Sequence, residues 1–191
     1  SSAGVYVLTY SAKDLSENTA TRTRTVTVSD TQPPVITLIG EAILSVERGP
    51  IGSVYVDAGA TATDVADGDL TSSISVSGSV DLGTVGTYIL TYSVSDAAGN
   101  AADSVIRTIT VTPDVTIPVI TLLGESSTTV EKNATYVDAG ALASDNVDGD
   151  ISDNIVTVNN VDTSSLGSYI VTYNVSDESG NAAIEVSRTV T

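Results

Sequence analysis

The chain has 191 residues, with 24 Asp and Glu against 7 Lys and Arg and a formal net charge of -17 at pH 7. It contains no His, Cys, Met, Trp or Phe, which removes imidazole bases, thiolate nucleophiles, soft metal ligands and the indole platforms of many sugar clefts. The charge repels nucleic acid and anionic lipid and draws cations, while 41% hydrophobic residues indicate a folded body rather than a disordered acidic chain.

In chain order, the first stretch, GVYVLTY followed by TRTRTVTV within residues 1–30, alternates with period two and predicts two strands. Nothing at Ser1 reads as a basic-then-apolar leader, and no apolar run approaches the roughly 20 residues of a membrane helix. From Pro33 the segments VITLIG, ILSVE, GATATD, SISVSG, a short VDLG, TYILTYSV and DSVIRTITV predict about seven strands. From Ile117 the whole pattern recurs: IPVITLLG echoes PPVITLIG, YVDAGALASDNVDGDI echoes YVDAGATATDVADGDL, and GSYIVTYNVSDESGNAA echoes GTYILTYSVSDAAGNAA. Self-similarity of this kind means tandem modules. Residues 33–112 and 117–191 are two full repeats, and residues 1–30 match the C-terminal half of another. A module of about 80 residues buries roughly 60% of its unfolded surface, enough for a small core. The fold class is all-β, with tandem sandwiches of about seven strands each.

Three recurrent features read as structural. Tyr88, Tyr169 and Tyr6 follow a turn and stand two residues before an apolar strand position, the spacing of a tyrosine corner. Gly99-Asn100 and Gly180-Asn181 fit hairpin turns; the first segment departs from that pattern, with Ser16-Glu17-Asn18 there. Arg107, Arg188 and Arg24 recur in the last strand and are expected to form surface pairs with carboxylates on adjacent strands, each worth little.

Taken together, the motifs V-I-T-L-x-G, Y-V-D-A-G-A, D-x-x-D-G-D and G-x-Y-x-x-T-Y-x-V-S-D-x-x-G-N-A-A resemble the Ig-like repeats of bacterial surface proteins and the related hyalin-repeat modules. The resemblance implies a non-enzymatic, extracellular spacer or adhesive stalk at a bacterial cell surface, whose partners are the neighbouring repeats. Two alternatives stay open: a filament subunit in which residues 1–30 complete an identical chain's sandwich, and a module that binds a glycan or protein.

The acidic loops carry the one candidate chemistry. A sandwich of this type brings the loop after its second strand, the last hairpin and the incoming linker to one end. That gathers Asp64, Asp67 and Asp69 with Asp96, Asn100 and linker Asp30, and in the next copy Asp145, Asp148 and Asp150 with Asp177, Asn181 and Asp114. Calcium takes six to eight hard oxygens in flexible geometry, and Asp-rich loops containing Gly68 or Gly149 suit it. The alternative is a set of solvated turns whose carboxylates cap backbone amides.

Overall fold

The computed structural model describes residues 3–191. It is built of short antiparallel and parallel strand pairs with two single-turn 3-10 helices. Strands β1 (Gly4–Lys13) and β2 (Thr19–Val28) form a hairpin paired from Gly4 opposite Val28 to Lys13 opposite Thr19. Its turn closes in spite of the missing glycine. Glu17 takes the left-handed φ of 70° that Gly99 takes at 92° in the next hairpin, and Asp14 Oδ1 accepts the N–H groups of Ser16 at 2.8 Å and Asn18 at 2.9 Å.

The first repeat then runs β3 (Val35–Leu38), β4 (Ile43–Glu47), β5 (Ala60–Asp64), β6 (Gly68–Asp69), the 3-10 turn η1 (Thr71–Ser73), β7 (Ser75–Ser77), β8 (Gly86–Ser93) and β9 (Val105–Thr112). The second follows with β10 (Val119–Leu122), β11 (Ser127–Thr128), β12 (Ala141–Asp145), β13 (Gly149–Asp150), η2 (Ser152–Asn154), β14 (Val156–Asn159), β15 (Tyr169–Asn174) and β16 (Val186–Val190). The sheet orders repeat: β3-β5-β6 with β4-β9-β8-β7, then β10-β12-β13 with β11-β16-β15-β14. In each copy the four-stranded sheet closes on a parallel pair, β4 with β9 and β11 with β16. The segment VDLG, predicted as a strand, is instead a turn. Asp81 makes one isolated bridge to Val54, and its carboxylate accepts the Gly83 N–H at 2.9 Å and the Thr84 hydroxyl at 2.8 Å, which bends the chain away from a ladder.

The chain divides into two compact units. One comprises the N-terminal hairpin through Ala42, Asp57–Gly78 and Ile89–Arg107. Its interior holds Ile36, Ala60, Ala62, Leu90, Tyr92 and Val94, contributed by alternate strand positions as a half-buried pleat requires. The hairpin within it is exposed throughout β1, with Val5, Val7, Leu8 and Tyr10 all open to solvent. The other unit comprises Ile43–Val56, Ser79–Tyr88 and Thr108–Thr191. Here Ile120, Ala143, Ile151, Val171, Tyr173, Val175 and Val190 form one core, drawn from both sheets of the second repeat.

The expected tyrosine corners are present. The Tyr88 hydroxyl donates to the Thr84 carbonyl at 2.8 Å and the Tyr169 hydroxyl to the Ser165 carbonyl at 3.1 Å. The Tyr6 ring lies over Gly4 as the Tyr88 ring lies over Gly86.

The arginines overturn the expectation of surface pairs, since Arg107 is 1% and Arg188 2% exposed. Arg107 donates through Nη2 to the carbonyls of Ile39 at 2.7 Å and Gly59 at 2.9 Å, and its Nε lies 3.2 Å from Asp57 Oδ1. The Tyr92 hydroxyl donates to the other oxygen, Asp57 Oδ2, at 2.6 Å. Arg188 repeats the arrangement with Asp138, Tyr173 and the carbonyls of Leu123, Glu125 and Gly140, and Tyr136 adds a bond to Asp138 Oδ1 at 2.7 Å. The sequence hid this because an arginine in an alternating strand usually points outward. Here carbonyls and a carboxylate surround each guanidinium inside the fold, which is what a buried charge requires.

Burial by itself pushes the Asp138 carboxyl up. The bonds from Tyr173, Tyr136 and the Gly140 N–H, with the Arg188 charge, outweigh burial and hold the carboxyl below its ordinary range. A depressed folded pKa stabilises fully above the unfolded value near 3.9, and that stability is lost as pH falls through the folded value. Asp138→Ala leaves Arg188 buried without its partner and is expected to cost about 3–5 kcal/mol in chemical denaturation of the second repeat. The same variant should flatten the acid limb of the stability profile.

Candidate metal centres at the linkers

In each centre carboxylates hold the loops by hydrogen bonds, and Asp30, Asp64, Asp114 and Asp145 each keep one shielded oxygen without a partner. At the end of β5, Asp64 Oδ1 accepts the N–H groups of Ala66 at 2.7 Å and Asp67 at 2.9 Å, folding the loop back at Gly68, whose φ of 78° suits glycine. Asp67 Oδ2 reaches across to the Ala97 N–H at 2.8 Å. Asp96, buried in the last hairpin, accepts the Asn100 N–H at 2.7 Å and its side-chain amide at 2.6 Å. In the linker, Asp30 Oδ1 caps the Gln32 N–H at 3.1 Å. One oxygen from each of Asp30, Asp64, Asp67 and Asp96 then lies within 4.8 Å of the others.

The second centre is built alike. Asp145 Oδ1 accepts the N–H groups of Val147 at 2.7 Å and Asp148 at 3.1 Å. Asp177 is held by Asn181 through its N–H at 2.7 Å and its amide at 2.8 Å. Asp114 Oδ1 caps Thr116 at 3.0 Å. Oxygens of Asp114, Asp145 and Asp177 lie within 4.8 Å of one another. Asp148 stands outside this group, with Oδ2 on the Glu178 N–H at 2.8 Å and Oδ1 3.8 Å from Arg48 Nη2.

The other residues proposed from sequence take different places. Asp69 and Asp150 sit at the 3-10 turns and accept the N–H groups of Thr71 at 2.9 Å and Ser152 at 3.0 Å. Their pKa values are lowered first by the side-chain bonds from Thr71 and Ser152. Asn100 and Asn181 donate to the clustered aspartates and tie them to the linker, through the carbonyls of Gln32 at 3.4 Å and Asp114 at 3.3 Å.

The chemical tension lies in the inward oxygens. Asp30 Oδ2, Asp64 Oδ2, Asp114 Oδ2 and Asp145 Oδ2 are shielded from solvent and have no hydrogen-bond partner. Among the described residues no Lys or Arg nitrogen stands within ion-pair distance of them. Asp114, 4% exposed, has its pKa raised first by burial, then by the Glu47 carboxyl and the charges of Asp145 and Asp177, against the Thr116 bond. Glu47 at the end of β4 is held below its ordinary value, chiefly by the Val115 N–H at 2.6 Å and by Thr116. Hard, anionic and unpartnered oxygens suit a divalent oxygen-seeking cation. Neither Glu47 nor Arg48 was singled out from sequence, although their pairing recurs as Glu131-Lys132.

The repeated strand order is that of a tandem immunoglobulin-like sandwich. The family described as "Bacterial surface protein, Ig-like domain" matches residues 36–111 and 120–191, and the chain belongs to it. It is also similar to hyalin of the sea urchin Strongylocentrotus purpuratus, 34% identical over 96% of this chain and 16% of hyalin. Hyalin of Lytechinus variegatus is 29% identical over 94% of this chain and 34% of that protein. The chain thus spans a minor part of the curated relatives it matches. Among solved structures, the M60 catalytic domain of Clostridium perfringens ZmpB with its CBM51-1 and CBM51-2 domains aligns with all of this chain and 33% of its own, at 15% identity and a TM-score of 0.48. Mouse PcdhgC3 EC1-3 aligns with 98% of this chain and 76% of its own, at 14% identity and a TM-score of 0.31.

Carboxylates within about 5 Å repel by roughly 3 kcal/mol per pair at an effective dielectric near 20. Asp145→Asn keeps the oxygen that holds the loop and removes one charge, so in chelator it should raise thermal stability by about 1–3 kcal/mol. Unfolding of both chains in EDTA-containing buffer measures this.

Proposed function

We propose that the chain is a segment of an extracellular spacer or adhesive stalk at a bacterial cell surface, non-enzymatic, whose linkers are stiffened by calcium. One observation carries this reading: each linker aspartate meets the carboxylates of two loops from the repeat that follows it, and Asp30, Asp64, Asp114 and Asp145 each keep a shielded oxygen with no protein partner. A cation held there would tie linker to sandwich. Three or four carboxylates supply part of a calcium shell of six to eight oxygens, leaving the remainder to backbone oxygens and water. Asp57 and Asp138 face arginines and need no such ion. The duplicated clusters, together with a chain lacking His and Cys, support a structural device over an active site.

A ligand that binds only the folded state raises stability with its concentration. Millimolar calcium should raise the melting temperature of the full chain at concentrations where sodium chloride of matched ionic strength does not, and the rise should shrink in Asp145→Asn. Equal responses to the two salts contradict the proposal and support solvated turns.

The exposed apolar residues Val5, Val7, Leu8 and Tyr10 of the N-terminal hairpin support a second reading for that segment, in which a preceding stretch of the same protein or a neighbouring chain covers it. Mass measured across protein concentrations separates the two, since only exchange between chains gives concentration-dependent association.

A further inference from the structure

The two acidic centres share a sequence pattern and differ at one oxygen. In the first, Asp67 Oδ2 accepts the Ala97 N–H at 2.8 Å and an oxygen of Asp67 belongs to the four-carboxylate group. In the second, Asp148 Oδ2 accepts the Glu178 N–H at 2.8 Å in the same manner, yet Asp148 is not in the group, which holds only Asp114, Asp145 and Asp177. Its Oδ1 faces Arg48 Nη2 at 3.8 Å, with the two side chains 28% and 9% exposed. The main chain at Arg48 is fixed. Its N–H donates to the Thr112 carbonyl at 2.9 Å, and Glu47 beside it accepts the N–H groups of Val115 at 2.6 Å and Thr116 at 3.0 Å.

The second centre does not rest on clustering alone. Asp114 is 4% exposed and its Oδ2 has no hydrogen-bond partner, although it belongs to the group with Asp145 and Asp177. That aspartate is a buried anion in want of a cation, whereas Asp148 already has one from the protein.

We infer that Arg48 is a built-in counter-cation that withholds Asp148 from the second centre and sets its calcium affinity below that of the first. The inference rests on the calcium reading of both centres. Physically, Arg48 acts twice. It pairs by charge, at 3.8 Å, with a carboxylate oxygen that would otherwise join the shell, and its positive charge opposes an incoming divalent ion through a partly desolvated path, where charges are weakly screened. The consequence is stepwise loading: the first linker fills at low calcium, while the second is held meanwhile by Arg48 with Asp148 and by Glu47 with the linker amides. A segment so built retains a fastened second linker when calcium is scarce.

Calorimetric titration of calcium into the full, decalcified chain tests this. Two classes of site are expected, the tighter lost in Asp67→Asn and the weaker tightened by about tenfold or more in Arg48→Gln. Arg48→Lys, which keeps the charge, should leave the weaker class close to its original affinity. A thermal melt of each variant in chelator confirms that it is folded. Two equal sites in the parent chain, or an Arg48→Gln chain with both affinities unchanged, overturn the inference while the calcium reading stands. No heat and no uptake in any chain at millimolar calcium overturn both.

Discussion

The cost of taking carboxylates out of water governs this structure. A chain with a net charge of -17 and small cores still buries aspartates in every repeat, and each must be compensated. The fold does so in two ways. In the interior, Asp57 and Asp138 each meet a guanidinium and a tyrosine hydroxyl. At the linkers, Asp114 and Asp145 carry shielded oxygens without a hydrogen-bond partner in the protein, and in the function proposed above the counter-charge comes from solution.

The interior set explains how such short strands hold together. Its arginine reaches carbonyls in the loops that end β3 and precede β5, and those that end β10 and precede β12. One side chain of the last strand thereby fastens the other sheet of its own repeat. The guanidinium also lies 6.0 Å from the Tyr92 ring centre in one copy and 5.9 Å from that of Tyr173 in the other, within cation–π range. Tyr92 has its phenol pKa pushed up to about 12, by burial first and then by Asp57, so it remains a donor at every ordinary pH. The linker set uses the same economy of oxygens in reverse. One oxygen of Asp64 or Asp145 shapes the loop, and the other has no hydrogen-bond partner within the protein.

The tandem architecture was legible because alternation and self-similarity are direct consequences of strand geometry and stacking. The acidic ends were legible because each loop repeats its aspartates. Membership of a cluster was not. Asp69 and Asp67 stand two residues apart, yet Asp69 caps a 3-10 turn and Asp67 crosses to the last hairpin, a distinction set by where each β-carbon points. Asp148 matches Asp67 in the motif but meets Arg48, a residue from a distant strand end that no local pattern connects to it. Arg107 and Arg188 misled for a related reason. Their neighbours read as an ordinary strand, and burial of a charge becomes intelligible only with the carbonyls and the aspartate that surround it. The turn at Glu17 shows the reverse case, where a backbone conformation suited to glycine is enforced by the Asp14 bonds on either side.

The central claim is that the carboxylates at the linkers are arranged around a cation. Anomalous diffraction from crystals of the chain grown in calcium measures it most directly. The account predicts a calcium peak bounded by Asp30, Asp64, Asp67 and Asp96, and another bounded by Asp114, Asp145 and Asp177. Carboxylates turned to ordered water, with no anomalous peak at either linker, would contradict it.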